Sequence, residues 1–326
     1  MANNLSQHPA VIDICAKIKG SDNIVIAGHE FPDGDSIGSC LALAIALNGM
    51  GKKVWAIIGD RSEKYSILPG QEFIYQGDIT QLNPDLFICV DCASAERLGN
   101  AAVLLKKAQE IICIDHHETD SLFGSINYIS TKASATCELI FHVLNSMGIM
   151  NSDIASAIYA GIVYDTGGFL HQSTTPECLD IVSGLISQNI PFTDIYNTML
   201  KERPIHAARM LGLMLSRLKL ENGVAYSYVT QEDLISECAT VADLDQISNE
   251  LIITKGAIVS VFVYEKNTGY SKASFRSKTI DVREIAKSFG GGGHKRAAGA
   301  DVYSPAAEAL PQAVAKAQAA IKEYAK

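Results

Sequence analysis

A chain of 326 residues has room for two domains of ordinary size. With 48% hydrophobic and 19% charged residues and no low-complexity tract, it has the composition of a folded globular protein, not of a disordered one. Its net charge of −9, with a pI near 5.4, argues against wrapping long duplex nucleic acid by charge alone. Small anionic ligands stay open, because a local cluster of cations can outweigh the global sign.

The start, MANNLSQHPA, lacks a basic segment followed by an apolar core, so no signal peptide is expected. The longest apolar runs, such as CLALAIAL (40–47), are too short to span a bilayer. A cytoplasmic location and no membrane partner are the expectations. Of the eight cysteines, most lie inside apolar runs, where they behave as small buried hydrophobes. Cys89 and Cys92 fit CxxC, but they end a predicted strand, where positions three apart face opposite ways. No second CxxC completes a zinc site.

In chain order, strands are predicted at NIVIAGH (23–29), KVWAII (53–58), LFICVD (86–91) and EIICIDH (110–116). Helices fit around 36–49, 94–108, 134–148 and 152–164. Continuous Val/Ile-rich runs bounded by helices indicate an α/β domain with a parallel sheet covered on both faces. Ligands gather at the carboxyl ends of such strands. The segment 190–216 reads as a connection. Beyond it, VAYSYVT (224–230), IVSVFVYEK (258–266) and YSKASFRS (270–277) alternate like half-exposed strands, with a turn at Asn267–Gly269. Helices fit at 231–238, 246–255, 281–288 and 305–325. This second region is a smaller α/β domain with a mixed sheet. The expected boundaries are 1–190 for the first domain, 191–216 for the linker and 217–326 for the second domain.

The polar residues converge at strand ends. His29 ends one strand, Asp91 another, and Asp115, His116 and His117 a third; Asp33 and Asp35 follow the first, and Asp165 closes a helix at AGIVYDTGGF. Carboxylates and imidazoles gathered in one cleft are a divalent-metal site of mixed oxygen and nitrogen type, suited to Mn²⁺ and also to Fe, Co or Zn. There are enough ligands for two ions. His29 and Asp33 would hold one, Asp35, His116 and Asp165 the other, and Asp91 would bridge them. Two such ions, about 3.5–4 Å apart, clamp the attacking and leaving oxygens of a phosphoryl transfer and activate a bridging water. Taken singly, the residues have plainer accounts. Asp35, just before SIGSCLALAIAL, also fits a helix cap. The amino end of that helix, Ser36-Ile37-Gly38, can point N–H groups at a phosphate, and Gly34 suits a tight turn.

The second domain carries FGGGGHKRAAG (289–299). A glycine loop lets the backbone approach an anion. The adjacent cations, Lys295 and Arg296 after His294, shift the reading from a flexible connection towards phosphate or carboxylate binding. Arg276, in SFRS, offers a bidentate phosphate contact, with a plain surface arginine as the alternative. Phe169 and His171 follow the fourth acidic cluster; packing is the expected role for Phe169.

HEFPDGDS, VDCAS, IDHHETD and YDTGGF resemble the four motifs of the DHH phosphoesterase family, and FGGGGHKRAAG resembles the hallmark of the DHHA1 domain. Order, spacing and length are similar to the short two-domain branch, the bacterial nanoRNases that also act on 3′-phosphoadenosine 5′-phosphate (pAp). The resemblance implies a Mn²⁺ pair, with Co²⁺ or Mg²⁺ as substitutes, on His29, Asp33, Asp35, Asp91, His116 and Asp165. It implies that His117 contacts the scissile phosphate, that Asp115 supports the neighbouring histidines, and that Asp91, His116, His117 and Asp115 carry the catalysis. The nucleotide would be held by His117, Arg276, Gly291, Gly292, Gly293, His294 and Arg296. The implied partners are short single-stranded RNAs of two to five nucleotides and pAp; an apolar helical face leaves a homodimer open. Two other readings compete: a linear or cyclic dinucleotide phosphodiesterase, and a catalytically silent nucleotide-binding regulator.

Overall fold

The computed structural model describes residues 8–92, 94–119, 121–244 and 247–324. Ala93 and Asp120, which belong to two of the motifs, lie outside the described residues, as does the start of the helix expected over 246–255. The chain divides into two compact units, Met1–Glu202 and Arg203–Lys326.

In the first unit α1 (Pro9–Gly20) precedes β1 (Asn23–Ala27), α2 (Gly34–Gly49), β2 (Lys53–Ile57), β3 (Leu86–Val90), β4 (Glu110–Asp115) and β5 (Ile126–Ile129). Then follow α3 (Thr136–Ser146), α4 (Ser152–Asp165), α5 (Pro176–Ile186) and α6 (Phe192–Leu200). The strands form one sheet in the order β2-β1-β3-β4-β5, each neighbouring pair parallel. Period-two alternation assigns the faces. Ile24 and Ile26 of β1 join the core shared with α2, α3 and α4, while Val25 and Ala27 enter a second core with Phe87, Leu98 and Leu104. Burial on both faces is why NIVIA and LFICV read as continuous apolar runs.

α2 is buried almost all round, from Gly34 to Ala44. Its contact with α4 is close because side chains are missing. A Cβ on Gly38 would lie 2.5 Å from the Ala157 carbonyl oxygen, and one on Gly161 2.2 Å from the Cys137 sulfur.

Three expectations are corrected. The segment 94–108 is not an α-helix but two 3₁₀ turns kinked at Gly99, whose φ is 54°. A Cβ there would meet the Glu30 carboxyl at 2.6 Å. Cys89 and Cys92 do not face opposite ways; both are buried in the second core with Cys113. The strand ends at Val90, and the left-handed Asp91 (φ 52°) turns Cys92 back inward. The third concerns strands of the second unit.

That unit holds α7 (Ile205–Ser216), β6 (Lys219–Glu221), β7 (Val224–Val229), α8 (Gln231–Ser236), α9 (Ser248–Ile252), β8 (Val259–Asn267), β9 (Tyr270–Ser277), α10 (Arg283–Lys287), β10 (Gly292–His294), β11 (Ala297–Val302) and α11 (Ala306–Tyr324). The segment 191–216 thus contains α6 and α7. The sheet order is β10-β11-β9-β8-β7-β6, parallel only between β7 and β8. β8 is buried on both faces, not half-exposed. Val259, Val261 and Val263 pack under the Ala-rich face of α11, while Phe262 and Tyr264 pack with Met210 and Met214 of α7. No described helix of the chain is long and apolar enough to cross a membrane.

Candidate metal centre

The strand order 2-1-3-4-5 reverses direction between β1 and β3, and open α/β sheets bind ligands outside the carboxyl ends at such a point. His29 lies two residues past β1, Asp91 immediately past β3, and Asp115–His117 at the end of β4. Asp33 and Asp35 come from the start of α2, and Asp165 is the last residue of α4.

These elements bring the ligand atoms of three sets each within 4.8 Å of one another: His29, Asp33 and Asp91; Asp35, His116 and Asp165; and Asp91, His116 and His117. Asp91 and His116 are each shared by two sets. His29 Nε2 is 3.5 Å from Asp91 Oδ2 and 4.0 Å from Asp33 Oδ1. His116 Nε2 is 3.1 Å from Asp165 Oδ2, 3.8 Å from Asp91 Oδ1 and 3.9 Å from Asp35 Oδ2. His117 Nδ1 is 2.8 Å from Asp115 Oδ1, which also accepts the His117 backbone N–H at 3.0 Å.

The acids are held by helix starts, though not as expected. Asp33, not Asp35, caps α2, accepting from the Asp35 and Ser36 amides at 3.0 and 3.1 Å. Those amides are therefore spent on Asp33 and are not free for a phosphate. Asp35, fully buried, serves a different helix. Its carboxylate accepts from the Thr136 amide at 2.6 Å and the Cys137 amide at 2.9 Å, the first turn of α3. Gly34 does not use left-handed backbone; it makes room for Tyr164, whose ring a Cβ would meet at 2.5 Å.

The electrostatics describe a negative cluster short of positive charge. Burial, with the charges of Asp33 and Asp91, pushes the Asp165 carboxyl up to about 7. Burial and Asp91 likewise raise Asp33, and raise Asp35 strongly. Burial also pushes Asp91 up, but the His29 hydrogen bond and the charges of His117 and His116 outweigh it and hold that carboxyl low. Burial and the neighbouring His117 keep His116 below its ordinary value, the neutral form a metal ligand needs. The Asp115 hydrogen bond raises His117 to about 9.

This donor set fits a divalent ion. His116 Nε2 and Asp115 Oδ2 are buried without a hydrogen-bond partner, and the first points among three carboxylates. Mixed imidazole and carboxylate donors suit Mn²⁺, Fe, Co or Zn.

One contributor went unread in the sequence. Thr136 donates its hydroxyl to Asp91 Oδ1 at 3.2 Å while its amide holds Asp35. Its only signal was its place among small polar residues before an apolar helical run, and nothing linked it to acids 45 and 101 residues away. His171, noted after the fourth cluster, makes a 2.9 Å Nδ1 hydrogen bond to the Asp165 carbonyl, and Phe169 is half-buried against the first core.

The remaining predicted residues lie in the second unit. The glycine run is neither a flexible connection nor an open loop. β10 pairs with β11 through Gly292 opposite Gly299, Gly293 opposite Ala298 and His294 opposite Ala297. Lys295 and Arg296 form the tip. A Cβ on Gly291 would meet the Gly299 carbonyl at 2.2 Å, and one on Gly293 the Ala297 carbonyl at 2.7 Å. Arg296 donates to the Ile280 carbonyl at 3.0 Å. Arg276 donates to Asn249 Oδ1 at 3.0 Å and to the Phe275 carbonyl at 3.1 Å.

Residues 23–162 match the DHH family, N-terminal domain, and residues 221–323 match the DHHA1 domain. Over 89% of its length the chain is 30% identical to the Thermus thermophilus protein named bifunctional oligoribonuclease and PAP phosphatase NrnA, 86% of which is covered. It is also 30% identical, over 89% of the chain, to the probable protein of that name from Streptococcus mutans, 93% of which is covered. Among solved structures, an exopolyphosphatase-related protein from Bacteroides fragilis superposes with a TM-score of 0.85 at 27% identity, covering 97% of this chain and 96% of that one. The switch-point site, the two sheets and these matches agree, and the chain belongs to the DHH family, with a DHHA1 domain as its second unit.

Proposed function

We propose that the chain hydrolyses very short RNA oligonucleotides to mononucleotides and removes the 3′-phosphate of pAp, using two Mn²⁺ ions. The observation that carries the reading is the sharing of Asp91 and His116 among three ligand sets at one sheet edge. The relatives named oligoribonuclease and PAP phosphatase support the substrate class.

In this reading His29, Asp33 and Asp91 would hold one ion and Asp35, His116 and Asp165 the other, with Asp91 close enough to His116 to be shared between them. When bound, such a pair supplies Lewis-acid charge at a phosphoryl oxygen and a nucleophile at neutral pH. The protein's own residues do the rest. Asp35, fixed by two amides of α3, and Asp33, fixed by α2, keep the donors in place without reorganisation. Asp115 raises His117 to about 9 in the metal-free chain, which favours the protonated imidazole. Its Nδ1 is committed to Asp115, so Nε2 is the donor left for a phosphate oxygen. In the second unit Arg276, His294, Arg296 and the backbone of Gly291, Gly292 and Gly293 bind the substrate's phosphate. Location in the cytoplasm, where such RNA fragments arise, belongs to the same proposal.

The test is a time course with Mn²⁺ on pAp, an RNA trinucleotide, an RNA 24-mer, pGpG and cyclic di-AMP. The expected outcome is rapid loss of pAp and trinucleotide with the 24-mer largely spared. Preferential turnover of pGpG or cyclic di-AMP would replace this reading with a dinucleotide phosphodiesterase. Nucleotide binding without turnover of any substrate would replace it with a regulator.

A further inference from the structure

We propose that the second unit carries a stacking platform for single-stranded RNA, built from Tyr303, Tyr270, Lys266 and Lys272, which seats a nucleotide beyond the one at Arg276. The inference rests on the reading of the chain as an oligonucleotide hydrolase and extends it to how chain length is recognised.

The alternation of β9 sets the geometry. Ser271, Ala273, Phe275 and Ser277 are buried, so Tyr270, Lys272, Ser274 and Arg276 share the opposite face. Lys272 is four residues from Arg276, about 13 Å along a strand. One phosphate group does not bridge that separation, whereas a further nucleotide does.

Tyr303 is 85% exposed and does not belong to the core. Its ring instead stacks on Tyr270, with centroids 5.2 Å apart and planes 26° from parallel. Lys266 Nζ sits 5.1 Å from the Tyr270 centroid and donates to Asp301 at 2.7 Å. Lys272 lies opposite Asp301 across β9 and β11 and helps hold that carboxyl low, but with Lys266 already donating to Asp301 the three side chains keep a net positive charge for a ligand. A cavity of about 410 Å³ is lined by Lys266, Lys272 and Tyr303 and bounded by Gly290 and Gly291.

An exposed aromatic face beside a net positive charge is how proteins hold single strands without reading sequence. The carboxylate of Asp301 is already matched by Lys266, which leaves one net cation from Lys272. That balance suits a base with a single phosphate and disfavours a polyphosphate. A ligand that was only an inorganic anion would gain nothing from the two rings.

The experiment compares wild type with Tyr303→Ala, Tyr303→Phe and Lys272→Gln, none of which lies in the proposed catalytic machinery. Binding of a fluorescein-labelled RNA pentamer is measured with chelator present, and kcat/KM on pAp with Mn²⁺. Tyr303→Ala should weaken pentamer binding about tenfold, Tyr303→Phe should bind as wild type, and Lys272→Gln should weaken binding with a shallower salt dependence. Turnover of pAp should be unchanged in all three. Equal pentamer binding by wild type and Tyr303→Ala, or a matching loss on pAp, would overturn the platform. Absence of turnover of both pAp and pentamer by wild type would instead overturn the proposed function, and the binding ratio would still decide the platform.

Discussion

Asp91 is where two of the candidate ligand sets meet, on backbone bent into the left-handed region. It sits at φ 52°, is almost wholly buried, and faces three histidines and the Thr136 hydroxyl. A left-handed aspartate is uncommon and tolerated at modest cost, and such positions concentrate at functional sites. Thr136 is the residue whose role is most easily separated from folding. Thr136→Val keeps the amide that holds Asp35 and removes only the hydroxyl on Asp91. The expected result is a 10–100-fold loss in kcat and weaker Mn²⁺ binding, with a stability loss of about 1 kcal/mol. Unchanged kcat and metal affinity would make Thr136 a plain helix-start residue. The acids and histidines were legible because so many of them follow apolar strands or end a helix together, more than the helix caps supplied by Asp33 and Asp35 account for. Thr136 was not, since a threonine before a helix is an ordinary sight and its partners are distant in sequence. Nor was the exchange of caps legible. That Asp33 serves α2 while Asp35 crosses to α3 depends on how the two helices pack.

At the scale of elements, β1 to β4 were legible from buried Val/Ile runs and β7 and β9 from alternation, whereas β8 was placed but read as half-exposed when both its faces are buried. β5, β6 and β10 were missed because three or four residues carry too little periodicity to register, and β11 because its Ala/Gly-rich AAGADV shows no apolar alternation. The 3₁₀ segment passed for a helix because its apolar spacing is helical; only Gly99 and the Glu30 carboxyl beside it break the run. The packing of α2 on α4 hinges on glycines whose role a sequence does not reveal. Gly161→Ala would press a methyl into the Cys137 sulfur and within 2.9 Å of Asp35 Oδ1. Thermal unfolding of that variant should show a loss of about 1–3 kcal/mol. It should also show lower activity, because Asp35 must move. A variant as stable and active as wild type would mean that α4 moves away easily from α3 and α2.

For the whole molecule, the metal-free chain holds a cluster of acids with raised affinity for protons. An unfolded aspartate releases its proton near pH 4, whereas folded Asp165 does so at about 7. The folded state therefore binds more protons across that window, and stability from this group is present at low pH and lost as pH rises towards 7. Compared with Asp165→Asn, the metal-stripped wild type should lose Tm between about pH 4 and pH 7. Mn²⁺ should raise the wild-type Tm more at pH 8 than at pH 5.5, since metal then displaces no proton. A pH-independent Tm difference between the two proteins would mean that Asp165 is not held among like charges.

The most direct test of the account is metal content measured alongside turnover. Metal-stripped wild type and Asp91→Asn, whose side chain tolerates left-handed backbone, would be dialysed against Mn²⁺, counted for ions per chain, and assayed on pAp. The expected result is two ions per wild-type chain, activity that tracks their binding, and at least a hundredfold loss in Asp91→Asn with fewer ions held. Full activity of the stripped protein in chelator, or an Asp91→Asn variant as active as wild type, would contradict it.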